Sequence, residues 1–147
     1  MTPSEYTRTR SRPPTRPILV VANREPYVHV QTENGIQCQT PAGGVTAALD
    51  PILRSLGGTW VGHGNGDADR DTVDEYDRIM VPPDDPSYTL RRVWLTNEEE
   101  EGYYLGFANG ALWPLCHIAY TRPVFDRSQW ETYVEVNRRF AAAVAQE

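Results

Sequence analysis

Five residues, Pro41-Ala42-Gly43-Gly44-Val45, stand between a strand-like run and a segment with helical apolar spacing. A helix opening at Gly44 turns its free N–H groups back into the Gly-Gly turn. Two residues without a Cβ let an anion approach that backbone, and the helix dipole favours negative charge there. The chemistry this predicts is the binding of a phosphate or diphosphate. Ordinary turns use the same pair, so the pair takes that meaning only from the residues around it. A second candidate is the acidic run Asp67-Ala68-Asp69-Arg70-Asp71, which has the opening spacing of a calcium loop. Thr72 and Arg78 stand where such a loop needs Gly and Glu, so the calcium reading fails. None of the 14 basic residues is lysine, so no lysine Schiff base and no P-loop lysine exists in these residues.

The elements that must position these residues follow from apolar spacing. Residues 17–22 (Pro-Ile-Leu-Val-Val-Ala) are a continuous β-branched run, as in a parallel strand buried on both faces. Residues 27–31 and 36–40 alternate around Asn34-Gly35, a hairpin signal. Val45, Ala48, Leu49, Ile52, Leu53 and Leu56 have helical spacing, with Gly57-Gly58 as the stop and Pro51 as a point of kinking or splitting. Residues 59–63, 78–81 and 90–95 read as further strands. Thr96 with Glu99, and Ser128 with Glu131, read as capping boxes. Residues 102–117 read as two short helices broken near Asn109-Gly110. Trp130, Tyr133, Val134, Val136, Asn137, Phe140, Ala141 and Val144 line a final helix running to the end. The order is that of an α/β sheet, and an incomplete one, because no strand follows the last helix.

Composition narrows the classes. The length of 147 residues suits one domain. Residues 1–16, rich in Thr, Ser, Arg and Pro, read as a disordered tail. A net charge of −6 argues against a nucleic-acid partner. No apolar run is long enough to span a membrane or to form a signal-peptide core. Cys38 and Cys116 have no metal-ligand spacing, so a reducing compartment, the cytoplasm, is expected.

Several stretches, in order, resemble the trehalose-phosphate synthase family, retaining glycosyltransferases of the GT-B fold. They are Val20-Val21-Ala22-Asn23-Arg24, Ala42-Gly43-Gly44-Val45 and Gly57-Gly58-Thr59-Trp60-Val61-Gly62. The most specific is Gly102-Tyr103-Tyr104-Leu105-Gly106-Phe107-Ala108-Asn109-Gly110-Ala111-Leu112-Trp113-Pro114-Leu115-Cys116-His117, followed by Trp130 and Tyr133-Val134-Glu135-Val136-Asn137. The fold this implies is α/β, a partial Rossmann-like N-terminal lobe on the acceptor side, over residues 17–147.

The resemblance also implies a reaction. The family moves glucose from a nucleotide-glucose, usually UDP-glucose, to glucose 6-phosphate, without metal or other cofactor. Arg24 matches the arginine that holds the acceptor phosphate, a task suited to a guanidinium that forks onto two oxygens. Gly43 and Gly44 match the loop over the donor diphosphate, whose N–H groups stabilise the leaving charge. Trp60, Tyr104 and Trp113 match aromatic positions around the acceptor. Without the resemblance, Arg24 reads as a surface arginine beside Glu25, and Trp60 and Trp113 as core. Trp94 and Trp130 are assigned to the core, and His117 has a structural reading. Asp67-Ala68-Asp69 matches the Asp-x-Asp that holds manganese in the other glycosyltransferase architecture, but it reads here as a solvated turn. The implied partners are a nucleotide-sugar donor and a sugar-phosphate acceptor, with no nucleic acid and no membrane; a homo-oligomer is left open.

The family's catalytic aspartate and its donor lobe have no counterpart in these residues. No catalytic residue is therefore expected here, and the 147 residues alone are expected to be inactive. Glu25-Pro26-Tyr27 and the loop 62–71 depart from the best-known members, which opens a second acceptor class such as glycerol phosphate. A sugar-phosphate-binding module without chemistry would carry the same residues. A dinucleotide binder is disfavoured, since Asn23-Arg24 stands where a glycine-rich fingerprint belongs.

Overall fold

Three short runs of β-branched and aromatic residues pair side by side to make the sheet. The computed structural model describes residues 17–118 and 120–147. The tail expected at residues 1–16 lies outside the described residues. Strand β1 (Leu19–Val21) pairs in parallel with β4 (Thr59–His63), and β4 pairs in parallel with β6 (Tyr88–Val93). Strand β5 (Arg78–Val81) adds an antiparallel edge, giving the order β1-β4-β6-β5. Strands β2 (Val28–Thr32) and β3 (Gly35–Gln39) form the separate hairpin that Asn34-Gly35 predicts, with Thr32 opposite Gly35.

Alternation along the strands divides the core in two. Trp60 and Leu90 face helix α1 (Gly44–Leu56), where they pack with Tyr27, Leu53, Val81 and Tyr88. Val61 and Val93 face the opposite way, onto Tyr103, Val136, Phe140 and Ala143. Helices thus cover both faces of a mostly parallel sheet, the arrangement of doubly wound α/β proteins. No helix among the described residues is long and apolar enough to cross a membrane.

Several elements differ from the sequence reading, each for a local reason. Strand β1 lies at the sheet edge among the described residues, so Leu19 and Val21 are exposed instead of buried on both faces. Helix α1 continues through Pro51. Pro51 and Ala47, whose carbonyl it leaves without a helical donor, are both exposed, so that carbonyl stays open to solvent and is not buried unpaired. The region 102–117 does not break at Asn109-Gly110. Helix α2 (Asn97–Glu100), a π-helical stretch (Glu101–Leu112) and α3 (Trp113–Cys116) follow one another without interruption. Gly102 and Gly106 face helix α4 (Arg127–Val144), where an added Cβ at Gly106 would come within 2.6 Å of Gln129. These glycines serve close helix packing and not a break. The Thr96–Glu99 capping box forms with both of its bonds. The second box does not: Asp126, not Ser128, caps α4 through the N–H of Gln129. Trp130 is half-exposed at the rim of an aromatic cluster with Phe107 and Tyr133, outside the core assigned to it.

Candidate functional site

The carboxyl ends of β1 and β4 and the amino end of α1 meet at one cleft. Helix α1 opens without a side-chain cap: Gly43 is extended (φ −175°), and its carbonyl accepts from the N–H of Ala47 and from the Thr46 hydroxyl, both at 2.9 Å. The N–H groups of Gly44, Val45 and Thr46 have no helical acceptor. They border a cavity of about 360 Å³ lined by Ala22, Asn23, Arg24, Tyr104 and residues 43–46. An added Cβ at Gly44 would meet no protein atom within 4 Å, so internal packing does not demand a glycine there.

Arg24 stands on the opposite wall. Its backbone is fixed by the indole N–H of Trp60, which donates to its carbonyl across 3.1 Å. One step earlier, the Asn23 carbonyl accepts from the N–H of His63 at 2.9 Å. The guanidinium itself is exposed and makes one 3.3 Å bond, to the carbonyl of Ala42. It forms no ion pair among the described residues; its neighbour Glu25 points away, into the interior. A second cavity of about 460 Å³ adjoins the first across Asn23, Arg24 and Tyr104. It continues past Gln39, Thr40 and Pro41 of the hairpin and past Asn65 and Glu100. The Asn23 side-chain oxygen is buried without a hydrogen-bond partner beside both cavities.

The structure therefore brings Arg24, Gly43, Gly44 and Tyr104 together. Trp60 and Trp113 line neither cavity. Trp60 has no exposed surface and lies in the core beneath Arg24. Trp113 is half-exposed on α3, with the imidazole of His117 stacked on it at 4.6 Å. His117 is exposed; its structural part is to hold that ring. Trp94 is half-buried, its indole N–H on Asp77 at 2.8 Å and Arg70 over its ring.

The solvated turn expected at Asp67–Asp69 is instead half interior. Asp69 has no exposed surface. Its carboxylate accepts from the N–H groups of His29 and Gly66, each at 2.7 Å, and pairs with Arg92 at 2.7 Å. Arg92 also donates to Glu25 (2.8 Å), to the Asp69 carbonyl and the Thr72 hydroxyl (2.9 Å each), and to the Tyr27 carbonyl (3.2 Å). Its sixth contact, 2.8 Å, is with Nδ1 of His29. That nitrogen faces a cationic donor, so it accepts and His29 is neutral. Burial lowers the His29 pKa first and the Arg92 charge lowers it further, outweighing the Asp69 carboxylate, which lies 3.4 Å from the same nitrogen and raises it. Two carboxylates share one guanidinium here. Burial, reinforced by a hydrogen bond with Asp69, pushes Glu25 up to about 9. Burial acts the same way on Asp69, but its bonds from Glu25 and the backbone, with Arg92, hold it below the usual carboxylate range.

Residues 16–147 match the family model described as glycosyltransferase family 20. This chain belongs to glycosyltransferase family 20. The trehalose-6-phosphate synthase of Mycolicibacterium vanbaalenii is 38% identical over 128 residues, 86% of this chain and 26% of the relative. An α,α-trehalose-phosphate synthase (UDP-forming) from Burkholderia vietnamiensis superposes with a TM-score of 0.57 at 27% identity, covering 89% of this chain and 24% of its own. The E. coli structure bound with UDP-2-fluoro glucose gives 0.56 at 26% identity, over 87% and 24%. The chain thus spans about a quarter of the length of the curated relatives it matches. The mixed α/β arrangement expected from the resemblance to trehalose-phosphate synthases is the observed one.

Sequence reading missed Glu25, Asp69 and Arg92 as a unit. One signal was present. Tyr88, Leu90 and Arg92 occupy one face of β6, so Arg92 falls where alternation places a buried residue. A cation at such a position needs an anionic partner.

Proposed function

We propose that these residues form the acceptor-side part of a retaining α,α-trehalose-phosphate synthase. The reaction moves glucose from UDP-glucose, or another nucleotide-glucose, to glucose 6-phosphate. One observation carries this reading: the exposed guanidinium of Arg24 and the uncapped amino end of α1 line the same cleft. Two electropositive features across one cavity suit two anionic groups, a sugar phosphate and a nucleotide diphosphate. The names of the family-20 relatives, and the UDP-2-fluoro glucose in the E. coli neighbour, support the same pair of ligands.

The roles divide accordingly. Arg24 forks onto the acceptor phosphate. The N–H groups at Gly43 and Gly44 face the donor diphosphate and stabilise the charge it gains as the glucosyl bond breaks. Tyr104, between the two cavities, hydrogen-bonds the acceptor; Trp113, which lines neither cavity, has no part in this reading. Trp60 belongs to the acceptor site indirectly, by holding Arg24. The catalytic group and the other half of the donor site lie outside these residues in this reading, and the cytoplasm is the proposed location.

Calorimetric titration of the intact protein with glucose 6-phosphate and with glycerol phosphate tests the reading. Glucose 6-phosphate is expected to bind more tightly, and Arg24→Ala to cost about 2–3 kcal/mol of that affinity. An Arg24→Ala protein with unchanged affinity overturns the phosphate role; preference for glycerol phosphate reassigns the acceptor.

A further inference from the structure

Glu25-Pro26-Tyr27 and the loop 62–71 are two halves of one buried assembly. Glu25 and the Tyr27 carbonyl come from the first; Asn65, Gly66 and Asp69 come from the second. Arg92, with 1% of its surface exposed, joins them. The Glu25 carboxyl also accepts from the N–H of Asn65 at 3.2 Å, so the β4 loop is tied directly to the residue that follows Arg24. Three anchors hold the Arg24 backbone: Trp60 at its own carbonyl, His63 at the carbonyl of Asn23, and Arg92 through Glu25.

We infer that Arg92 is a positioning residue: through Glu25 and Asp69 it fixes the angle at which Arg24 meets the phosphate of an acceptor. This rests on the reading of Arg24 given above. Arg24 is exposed at the cleft while Glu25, the next residue, is buried on Arg92, so the two side chains leave the chain in different directions. Locking one inward sets the direction of the other. Every N–H of Arg92 has an acceptor, on four separate segments: residues 25–27, His29, Asp69 and Thr72. Lysine has the charge and none of the fork. The cluster also explains its own proton count. Two carboxylates, one guanidinium and a neutral His29 would leave an uncompensated negative charge in the interior, so the carboxylate pair keeps one proton. Arg24 then presents its charge to the cleft without a buried anion behind it.

The test compares the acceptor and donor KM of the intact protein, and its affinity for inorganic phosphate, among wild type, Arg24→Ala, Arg92→Lys, Asp69→Asn and Glu25→Gln. Arg92→Lys is expected to raise the acceptor KM and the phosphate Kd about tenfold, with the donor KM within about twofold. Asp69→Asn, which removes the ionised partner, is expected to exceed Glu25→Gln, which replaces a group already carrying a proton. Circular dichroism and thermal melting establish that each variant folds. If Arg92→Lys does not fold, Thr72→Val, which removes one of the six contacts at constant charge, is expected to raise the acceptor KM about twofold to threefold. A folded Arg92→Lys protein with wild-type acceptor KM overturns the inference, as does an equal rise in both KM values. If Arg24→Ala leaves acceptor binding unchanged, the reading of Arg24 fails first and takes this inference with it.

Discussion

The indole N–H of Trp60 donates to the carbonyl of Arg24 across 3.1 Å, so a side chain with no exposed surface fixes one that is exposed. Trp60 is anchored in turn by its parallel pairing with Val20 and Leu90 on either side and by packing on Leu53 and Tyr88. The rigidity of the central strand reaches the cleft through this bond and through the one from the N–H of His63 to the carbonyl of Asn23.

Trp60→Phe keeps an aromatic ring in the core and removes the donor. The carbonyl of Arg24 then lacks its partner, and a smaller ring leaves a gap. Unfolding free energy is expected to fall by about 2–3 kcal/mol, read from the urea midpoint. Phosphate affinity should fall with it, several-fold, at a temperature where the variant is fully folded. Unchanged affinity would show that Arg24 is held well enough without the indole.

Gly44 and Gly58, at the two ends of α1, are there for opposite reasons, and alanine separates them. At Gly58 the backbone is in a region that favours glycine (φ +129°), and an added Cβ would lie 2.2 Å from the carbonyl oxygen of Ile18. Gly58→Ala is expected to destabilise the protein by roughly 2–4 kcal/mol, since both strain and a backbone clash oppose it.

Gly44→Ala meets no protein atom and replaces a poor helix former inside α1. Stability is expected to hold or to rise by about 0.5–1 kcal/mol. The donor KM should nevertheless increase, because the new methyl stands where a diphosphate would approach. A stable Gly44→Ala protein with an unaltered donor KM would remove Gly44 from the diphosphate site.

The buried carboxylate pair gives stability a pH signature. Glu25 is raised from 4.5 to about 9, so between those values the folded protein holds a proton that the unfolded chain has lost. Its stabilising contribution is complete below about 4.5 and is lost as pH rises toward 9. His29 and His63 are lowered from 6.5, chiefly by burial, so their stabilising contribution disappears as pH falls through 6.5. The Glu25 effect is therefore cleanest from pH 7 to 9. There the guanidinium-chloride midpoint is expected to decline in wild type and to stay flat in Glu25→Gln. Equal slopes would place the proton elsewhere.

Local chemistry made part of this legible. Asn34-Gly35 fixed the hairpin, and Thr96 with Glu99 fixed a helix start, because each acts over a few residues. Tertiary packing overrode the sequence reading elsewhere. Asn109-Gly110 reads as a break, yet the helical run continues through it, and Gly102 and Gly106 upstream give close contact with α4. Ser128 lost the cap of α4 to Asp126, two residues earlier and equally able to reach the free N–H groups.

From the amino-acid order alone come the alternating runs that become strands, the helical spacing of α1 and α4, and the stretches, Arg24 and Gly43-Gly44 among them, that carry the resemblance to the trehalose-phosphate synthase family. All of these are written in residue type and short-range spacing. Only the tertiary structure decided that Arg24 and Gly44 face one cavity, that Trp60 supports the site from below, and that Asp69 lies inside, paired with Arg92. The physical reason is distance along the chain. Glu25 and Arg92 are separated by 67 residues, and no local propensity encodes a contact that exists only once β1, β4 and β6 lie side by side.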